Sequence, residues 1–460
     1  MEEEIKVSKW LPWVAAIAFF MQSLDGTILN TALPSIAHDL NKSPLKMQPI
    51  IIAYVLTLAL LIPLSGWLSD KFGSRNIFTF AVGIFTLGSL ACVFCTSLEA
   101  LVYMRILQAI GGSMMVPVSR LALLYTYPKD KLLKVINFIT IPGLIGPVIG
   151  PTLGGWLVHV ASWHWIFLIN IPIGVAGMIL AWKFIPNYKR TEGKFDFIGF
   201  LLLSLGLVLI SLSLEFAGNR IISLNTVFLV LFVGIILIVL YIVYSQKVSK
   251  PLINLKLFKI RTLRIGIIGN IITRLGVGGI PLMLPLLLQV GFGKNSVISG
   301  AMLIFSAVAT ILAKSSAIPL IKHFGYKKLL IYNTIILGVA ITLFMFPNEN
   351  TPLVWLIPIL IAYGAFNSIQ MSAMNSISLA DLTPKDASGG NTMFSVTQQL
   401  SMSFGISLSA MLFNSYEIFE NNHVITAFKL TFLTLGIITI LSAFTFAFLK
   451  NDDGTSMSGN

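Results

Sequence analysis

The chain is poor in charge, in cysteine and in histidine. Only 11% of its residues are charged, under half of the roughly 25% usual in a soluble domain. A chain so short of polar side chains cannot cover a water-facing surface, which excludes an ordinary soluble globular fold. Two cysteines and five histidines leave little from which to build a metal centre. Cys92 and Cys95 sit one helical turn apart with no histidine beside them. Consecutive turns give poor disulfide geometry, and small apolar packing is the simpler reading. No Ser/His/Asp set, phosphate-cradling loop or metal-ligand cluster is present. An enzyme is therefore not expected, and neither a metal nor a cofactor.

What the chain has is apolar length. It is 56% hydrophobic, and about fourteen stretches approach the roughly 20 residues that a bilayer-crossing helix needs. They run over 12–37, 47–68, 77–96, 99–124, 133–157, 163–185, 197–217, 224–245, 265–290, 297–319, 329–347, 352–378, 389–415 and 427–449. The first continues through Asp25 and Asn30, so it reads as a true span and not as a signal core. An even count puts both termini on one side. With that side cytoplasmic, the outer segments hold only Lys42, Lys46, Arg220, Lys294 and Lys429 of the 31 basic residues, and most others fall inside. Loop topology thus accounts for the net charge of +13, and nucleic acid is not an expected partner. The expected partners are the lipid bilayer, protons and a small-molecule substrate.

The spans fall into six, two and six. The expected organisation is a six-helix bundle over 1–190, two linker helices over 191–250, a second six-helix bundle over 251–450 and a disordered tail over 451–460. After the second span stands Gly66-Trp67-Leu68-Ser69-Asp70-Lys71-Phe72-Gly73-Ser74-Arg75. After the second span of the later half stands Ile318-Pro319-Leu320-Ile321-Lys322-His323-Phe324-Gly325-Tyr326-Lys327-Lys328. Phe-Gly followed by a base recurs, with Lys322 where Asp70 would fall. Parallel repeats of this kind build many secondary transporters, with substrate held near the midplane between the halves.

Gly66 to Arg75 resembles the loop signature of the major facilitator superfamily, G-x-L-x-D-x-x-G-x-R. Arg105-Ile106-Leu107-Gln108-Ala109-Ile110-Gly111-Gly112 resembles its fourth-span motif, with Ala109 replacing the usual Gly. Pro142 to Gly155 resembles the fifth-span motif of antiporters. Leu24 to Pro34 and Trp163 to Gly174 are similar to the fourteen-span drug–proton antiporter branch. The resemblance covers nearly the whole chain. It implies an all-α integral membrane protein of the major facilitator fold, two six-helix bundles plus two additional helices, in the bacterial cytoplasmic membrane. It also implies proton-coupled export by alternating access; the sequence leaves the oligomeric state open, with a monomer favoured.

The motifs have physical readings of their own. Gly66 allows close helix approach and Gly73 a tight turn; Asp70 can cap the next helix or pair with Arg75. In the family this loop is a conformational latch; the plain alternative is a basic turn. Gly143, Gly146, Gly150 and Gly154, with Gly155, form a smooth packing stripe, and Pro147 and Pro151 remove backbone donors. That suits a hinge or seal, or tight packing alone. Asp25 is the one carboxylate well inside a span, a functional candidate by default. With Arg105 tuning it, Asp25 would carry the proton; the alternative is a static ion pair. Gln22 precedes it by three. Arg120 and Asn270 with Arg274 supply further buried polarity. Tyr363, Asn367, Gln370, Met371 and Met374 recur at helical spacing, either as a cavity wall or as interhelical bonding partners. With Asn30, these residues make up the expected substrate cavity. Cations outnumber acids inside the spans, so an organic anion, such as a carboxylate metabolite or a metal chelate, is an alternative cargo.

Overall fold

In lipid a backbone must satisfy its own hydrogen bonds, and apolar length therefore becomes helix. The computed structural model describes residues 10–127, 129–189, 195–219, 223–248, 251–382, 387–420 and 423–454. Among these there is helix and no strand. Twelve helices are long and apolar enough to cross a membrane, so the chain is a multi-pass membrane protein. Two other long helices, Lys129–Val160 and Ala387–Phe419, stand beside these twelve, and the fourteen spans read from the sequence are not reached among the described residues. The chain divides into two compact units, Met1–Phe195 and Asp196–Asn460.

The long helices of the first unit are α1 (Leu11–Ile28), α2 (Pro49–Phe72), α3 (Ser74–Val93), α4 (Leu98–Thr126), α5 (Lys129–Val160) and α6 (Asn170–Phe184). Local chemistry sets their ends. Ser97 caps α4, its Oγ accepting from the Ala100 amide at 3.1 Å. This satisfies one of the free amides that open a helix. Gly73 breaks α2 from α3 with φ of 100°, a region that costs any other residue strain. A Cβ there would also strike the Asn187 side chain. The short turn is tied down: Ser74 Oγ donates to the Pro186 carbonyl at 2.8 Å, and Arg75 Nε donates to that of Ile185 at 2.7 Å.

The glycine stripe of α5 packs on α1. A Cβ on Gly146 would approach the Leu24 amide at 2.7 Å. One on Gly150 would meet Thr27 and the Ile28 amide, and one on Gly154 the Ile28 carbonyl. Thr31 Oγ1 donates to the Pro151 carbonyl at 2.9 Å, locking the same seam. Gly143 lies against the Phe19 ring.

The second unit holds α7 (Phe197–Asn219), α8 (Leu224–Lys247), α9 (Arg261–Val277), α10 (Ser296–Lys314), α11 (Ala317–Thr342), α12 (Leu356–Leu379), α13 (Ala387–Phe419) and α14 (Val424–Phe446). The hairpin α7–α8 meets itself at Gly206 and Gly234, and α7 lies on α13. The pair read from sequence as a linker thus packs with this unit. Gly325, at φ of 71°, interrupts α11 where Gly73 interrupts the first unit. The tail expected to be disordered from Asn451 forms turns as far as Gly454, and residues 455–460 lie outside the described set. The buried Asp453 carboxylate accepts from both Nε and Nη2 of Arg261 and from the Lys450 amide at 2.8 Å.

The α1–α5 seam makes a stability prediction. Gly150→Val would overpack it at a cost of about 1–3 kcal/mol and lower the thermal midpoint of the purified protein. Gly26→Ala, where a Cβ has open space, should leave the midpoint unchanged or raise it.

Candidate functional site

A carboxylate stranded in an apolar helix needs donors at both oxygens. Asp25, on α1, is 1% exposed and has them. Arg105 Nη1, on α4, donates to Oδ2 at 2.7 Å. Gln108 Nε2, one turn further along α4, donates to Oδ1 at 2.8 Å, and Asn170 Nδ2, at the start of α6, donates at 3.2 Å. The same Arg105 Nη1 donates to Gln108 Oε1 at 2.6 Å. Ser89, on α3, accepts from Gln108 at 2.8 Å and from Asn170 at 3.4 Å. The guanidinium lies 4.0 Å over the Tyr54 ring, on α2, and 5.9 Å from that of Phe167. Five helices thus converge on one carboxylate. Every contact to its oxygens is donated, so no neighbouring acceptor is set to receive a proton from it.

The sequence pairing of Asp25 with Arg105 is what the geometry has. Gln22 does not join: its Oε1 is buried without a partner. Asn30 is buried. Arg120 is half-buried, its guanidinium 5.6 Å from the Phe19 ring and its Nε unpartnered. Asn170 and Ser89 were missed. Asn170 stands inside the Trp163 to Gly174 stretch, whose resemblance to the antiporter branch is the one sequence signal for it.

The second unit has its own polar cluster with the opposite bias. Arg274, on α9, is buried; its Nε donates to Asn270 Oδ1 at 2.8 Å and its Nη2 to Met371 Sδ at 3.2 Å. No carboxylate lies within ion-pair distance of it among the described residues. Asn270 Nδ2 and Gln370 Nε2 are buried donors with nothing to bond. Gln370 Oε1 accepts from Asn333 Nδ2 at 2.8 Å, the interhelical bond that was the alternative to a cavity wall. Tyr363 is buried against Phe344, and Asn367 is half-buried. Met374 is fully buried in a core cluster with Tyr326, Leu330 and Ile377. Its helical spacing with Met371 put it on the polar wall, but packing puts it in the apolar core.

The expected bond between Asp70 and Arg75 is replaced by two others. Asp70 Oδ1 accepts from the Tyr125 hydroxyl at 3.1 Å, and Arg75 turns to the Ile185 carbonyl. The helix after Gly73 has no side-chain cap. Gly66, with a Cβ only near Leu121, is the small residue at this α2–α4 contact.

Removing one member of a buried ion pair leaves the other uncompensated, at about 3–5 kcal/mol. Arg105→Gln and Asp25→Asn should each lower the thermal midpoint, and the double variant should lower it less than the sum of the two. Strict additivity in that cycle would mean the pair is not coupled.

Known proteins match this architecture. The family model described as Major Facilitator Superfamily matches residues 15–260 and 266–459. A putative multidrug resistance protein MdtD of Pectobacterium atrosepticum is 40% identical over 448 residues, covering 95% of each chain. One from Escherichia coli is 41% identical over 455 residues, 97% of this chain and 95% of that one. A solved D-xylose–proton symporter superposes with a TM-score of 0.69 at 16% identity, over 96% of this chain and 98% of its own. The nucleoside transporter NupG does so at 0.64 and 14%, over 95% and 98%. At such identities these two structures speak for the fold alone. The chain belongs to the Major Facilitator Superfamily, as a multidrug-efflux-like transporter of the MdtD type.

Proposed function

We propose that the chain exports small molecules in exchange for protons, by alternating access, and that Asp25 is the group that carries the proton. The observation behind this is the donor-filled carboxylate at 1% exposure. In this conformation Asp25 is sealed from water, so a proton can reach it only when a donor leaves. Separation of α1 from α4 would do so, breaking the Arg105 bond and opening the carboxylate together. Protonation from outside would then favour the separated arrangement, and release inward would restore the pair. Gly146 and Gly150 press α5 onto α1 on either side of Asp25. A smooth seam there suits a helix that must shift without opening a leak.

The remaining parts of the reading follow from length and charge. Counted with α5 and α13, the long helices number fourteen, and the Lys/Arg bias of the loops puts both termini in the cytoplasm of a bacterial inner membrane. The protein would work as a monomer. The Gly66–Arg75 turn, anchored at Ile185 and Pro186, would act as a latch between α2, α3 and the segment after α6.

A second reading of the cargo rests on Arg274. A buried guanidinium beside the unbonded Asn270 amide donor, with no acid within ion-pair distance among the described residues, suits an anionic group. The cargo would then be an organic anion, such as a carboxylate metabolite or a metal chelate, while the first reading takes cationic and neutral drugs.

Two measurements follow. In reconstituted vesicles Asp25→Asn should abolish export driven by a pH gradient while leaving membrane insertion intact; retained gradient dependence would move the coupling site elsewhere. Arg274→Ala should lower anion export at least about tenfold, the scale of one charge-assisted hydrogen bond. Export unchanged in both Arg274→Ala and Arg120→Ala would reject the anion reading.

A further inference from the structure

The break at Gly325 does more than end a helix. It divides α11 into two segments, and the bend leaves a cavity of about 330 Å³ on the α12 side. Leu320 and Phe324 line it from before the break. Leu329, Tyr332, Asn333 and Ile336 line it from after, with Phe366 and Ile369 from α12. Its volume is at the lower end for small-ligand sites, about 300–1,000 Å³. Its one amide has no free donor, since Asn333 Nδ2 is spent on the Phe366 carbonyl at 2.9 Å and on Gln370. Phe324, Tyr332 and Ile336 are also largely exposed, at 47%, 62% and 43%. The cavity is therefore an apolar groove open to the surface of a membrane protein. Leu329 to Ile336 runs about 10 Å along the helix axis, so the groove is elongated.

One end of this groove is strongly basic. Lys328 is one turn before Tyr332 and shares its helix face. Lys322 and Lys327 fall between Leu320 and Leu329, one on each side of the Gly325 break. None of the three is within ion-pair distance of a carboxylate among the described residues. Asp453, in the same unit, is bound by Arg261. The corresponding turn of the first unit has Asp70 among its bases, bonded to Tyr125. The second turn has Lys322 at that place and no acid from Ile318 to Lys328. Three lysines with no ion-pair partner among the described residues thus neighbour lining residues of an apolar trough along the chain, which is the chemistry of a lipid with a negative headgroup.

We propose that this groove binds an anionic phospholipid. One acyl chain lies along Leu329, Tyr332 and Ile336 against Phe366, and the phosphate is held by Lys322, Lys327 and Lys328. A zwitterionic lipid would fill the trough equally well but gain less from the lysines. A free phosphate would meet the lysines but leave the trough empty. Asn333 links the wall of this trough to Gln370, the next polar residue toward Met371 and Arg274. The bound lipid would therefore stiffen the bend of α11 beside that cluster. The proposal rests on the membrane reading alone, and stands or falls independently of proton coupling.

The test uses the full-length protein purified in mild detergent, offered phosphatidylglycerol and phosphatidylcholine of equal chain length in equal amounts. Retained lipid is quantified by mass spectrometry. The native protein should retain phosphatidylglycerol over phosphatidylcholine by about tenfold or more, each lysine near an anionic group contributing about fivefold. Lys322→Gln, Lys327→Gln and Lys328→Gln together should bring the ratio close to one. Ile336→Trp, at an exposed position, should fill the trough and lower the retained phosphatidylglycerol while the lysines remain. Equal retention of the two lipids by the native protein would overturn the proposal. So would a triple variant with the native ratio, or displacement of phosphatidylglycerol by millimolar inorganic phosphate, which would make this an anion site without a lipid.

Discussion

A deeply buried carboxylate in an otherwise apolar stretch of α1 is the constraint around which the first unit is arranged. Isolated, such a charge is among the most costly groups a membrane protein can hold. Asp25 is tolerated because Arg105, Gln108 and Asn170 fill its oxygens and Ser89 fixes the two amides. Tyr54 gives the guanidinium an aromatic face. These partners come from α2, α3, α4 and α6, so the order of the bundle and the solvation of one charge are the same fact. The arrangement is also brittle, because losing any one contact leaves a buried polar group unsatisfied. A group held this way suits a switch: it is stable when complete, and a helix displacement that removes one donor disturbs all of it.

The α1–α5 seam adds the mechanical half. Gly146 and Gly150 meet α1 at Leu24 and at Thr27–Ile28, the residues on either side of Asp25. The motif that resembles the antiporter signature and the carboxylate therefore act on one stretch of helix. In the second unit the polarity is reversed. Arg274 is buried with an amide and a thioether for company and, among the described residues, no acid within ion-pair distance. One unit thus holds a neutralised charge pair, and the other a cation that still lacks a counter-charge.

Much of this could be read from the sequence. Apolar length gave the helices, and the isolation of Asp25 with a long arginine on the fourth span gave the pair. The need for a positive φ gave Gly73 its place. Other features could not be read because they depend on contacts distant in sequence. Asn170 reaches Asp25 across 145 residues, and no spacing rule connects them. Asp70 and Arg75 are five apart and of opposite sign, yet the Tyr125 hydroxyl and a carbonyl after α6 offered each a better-placed partner. Met374 has the periodicity of Met371, but its surroundings are Tyr326 and Leu330. The tail looked disordered by composition, and Arg261 holds Asp453 in place. In α13 glycine, serine and glutamine lower hydropathy without shortening the helix.

The most direct measurement is infrared difference spectroscopy of the protein in bilayers, recorded as a transported compound is added and as pH is varied. The account predicts a protonated-carboxyl band that grows or fades with the compound and is absent in Asp25→Asn. A band that ignores the compound, or one that persists unchanged in Asp25→Asn, would contradict it.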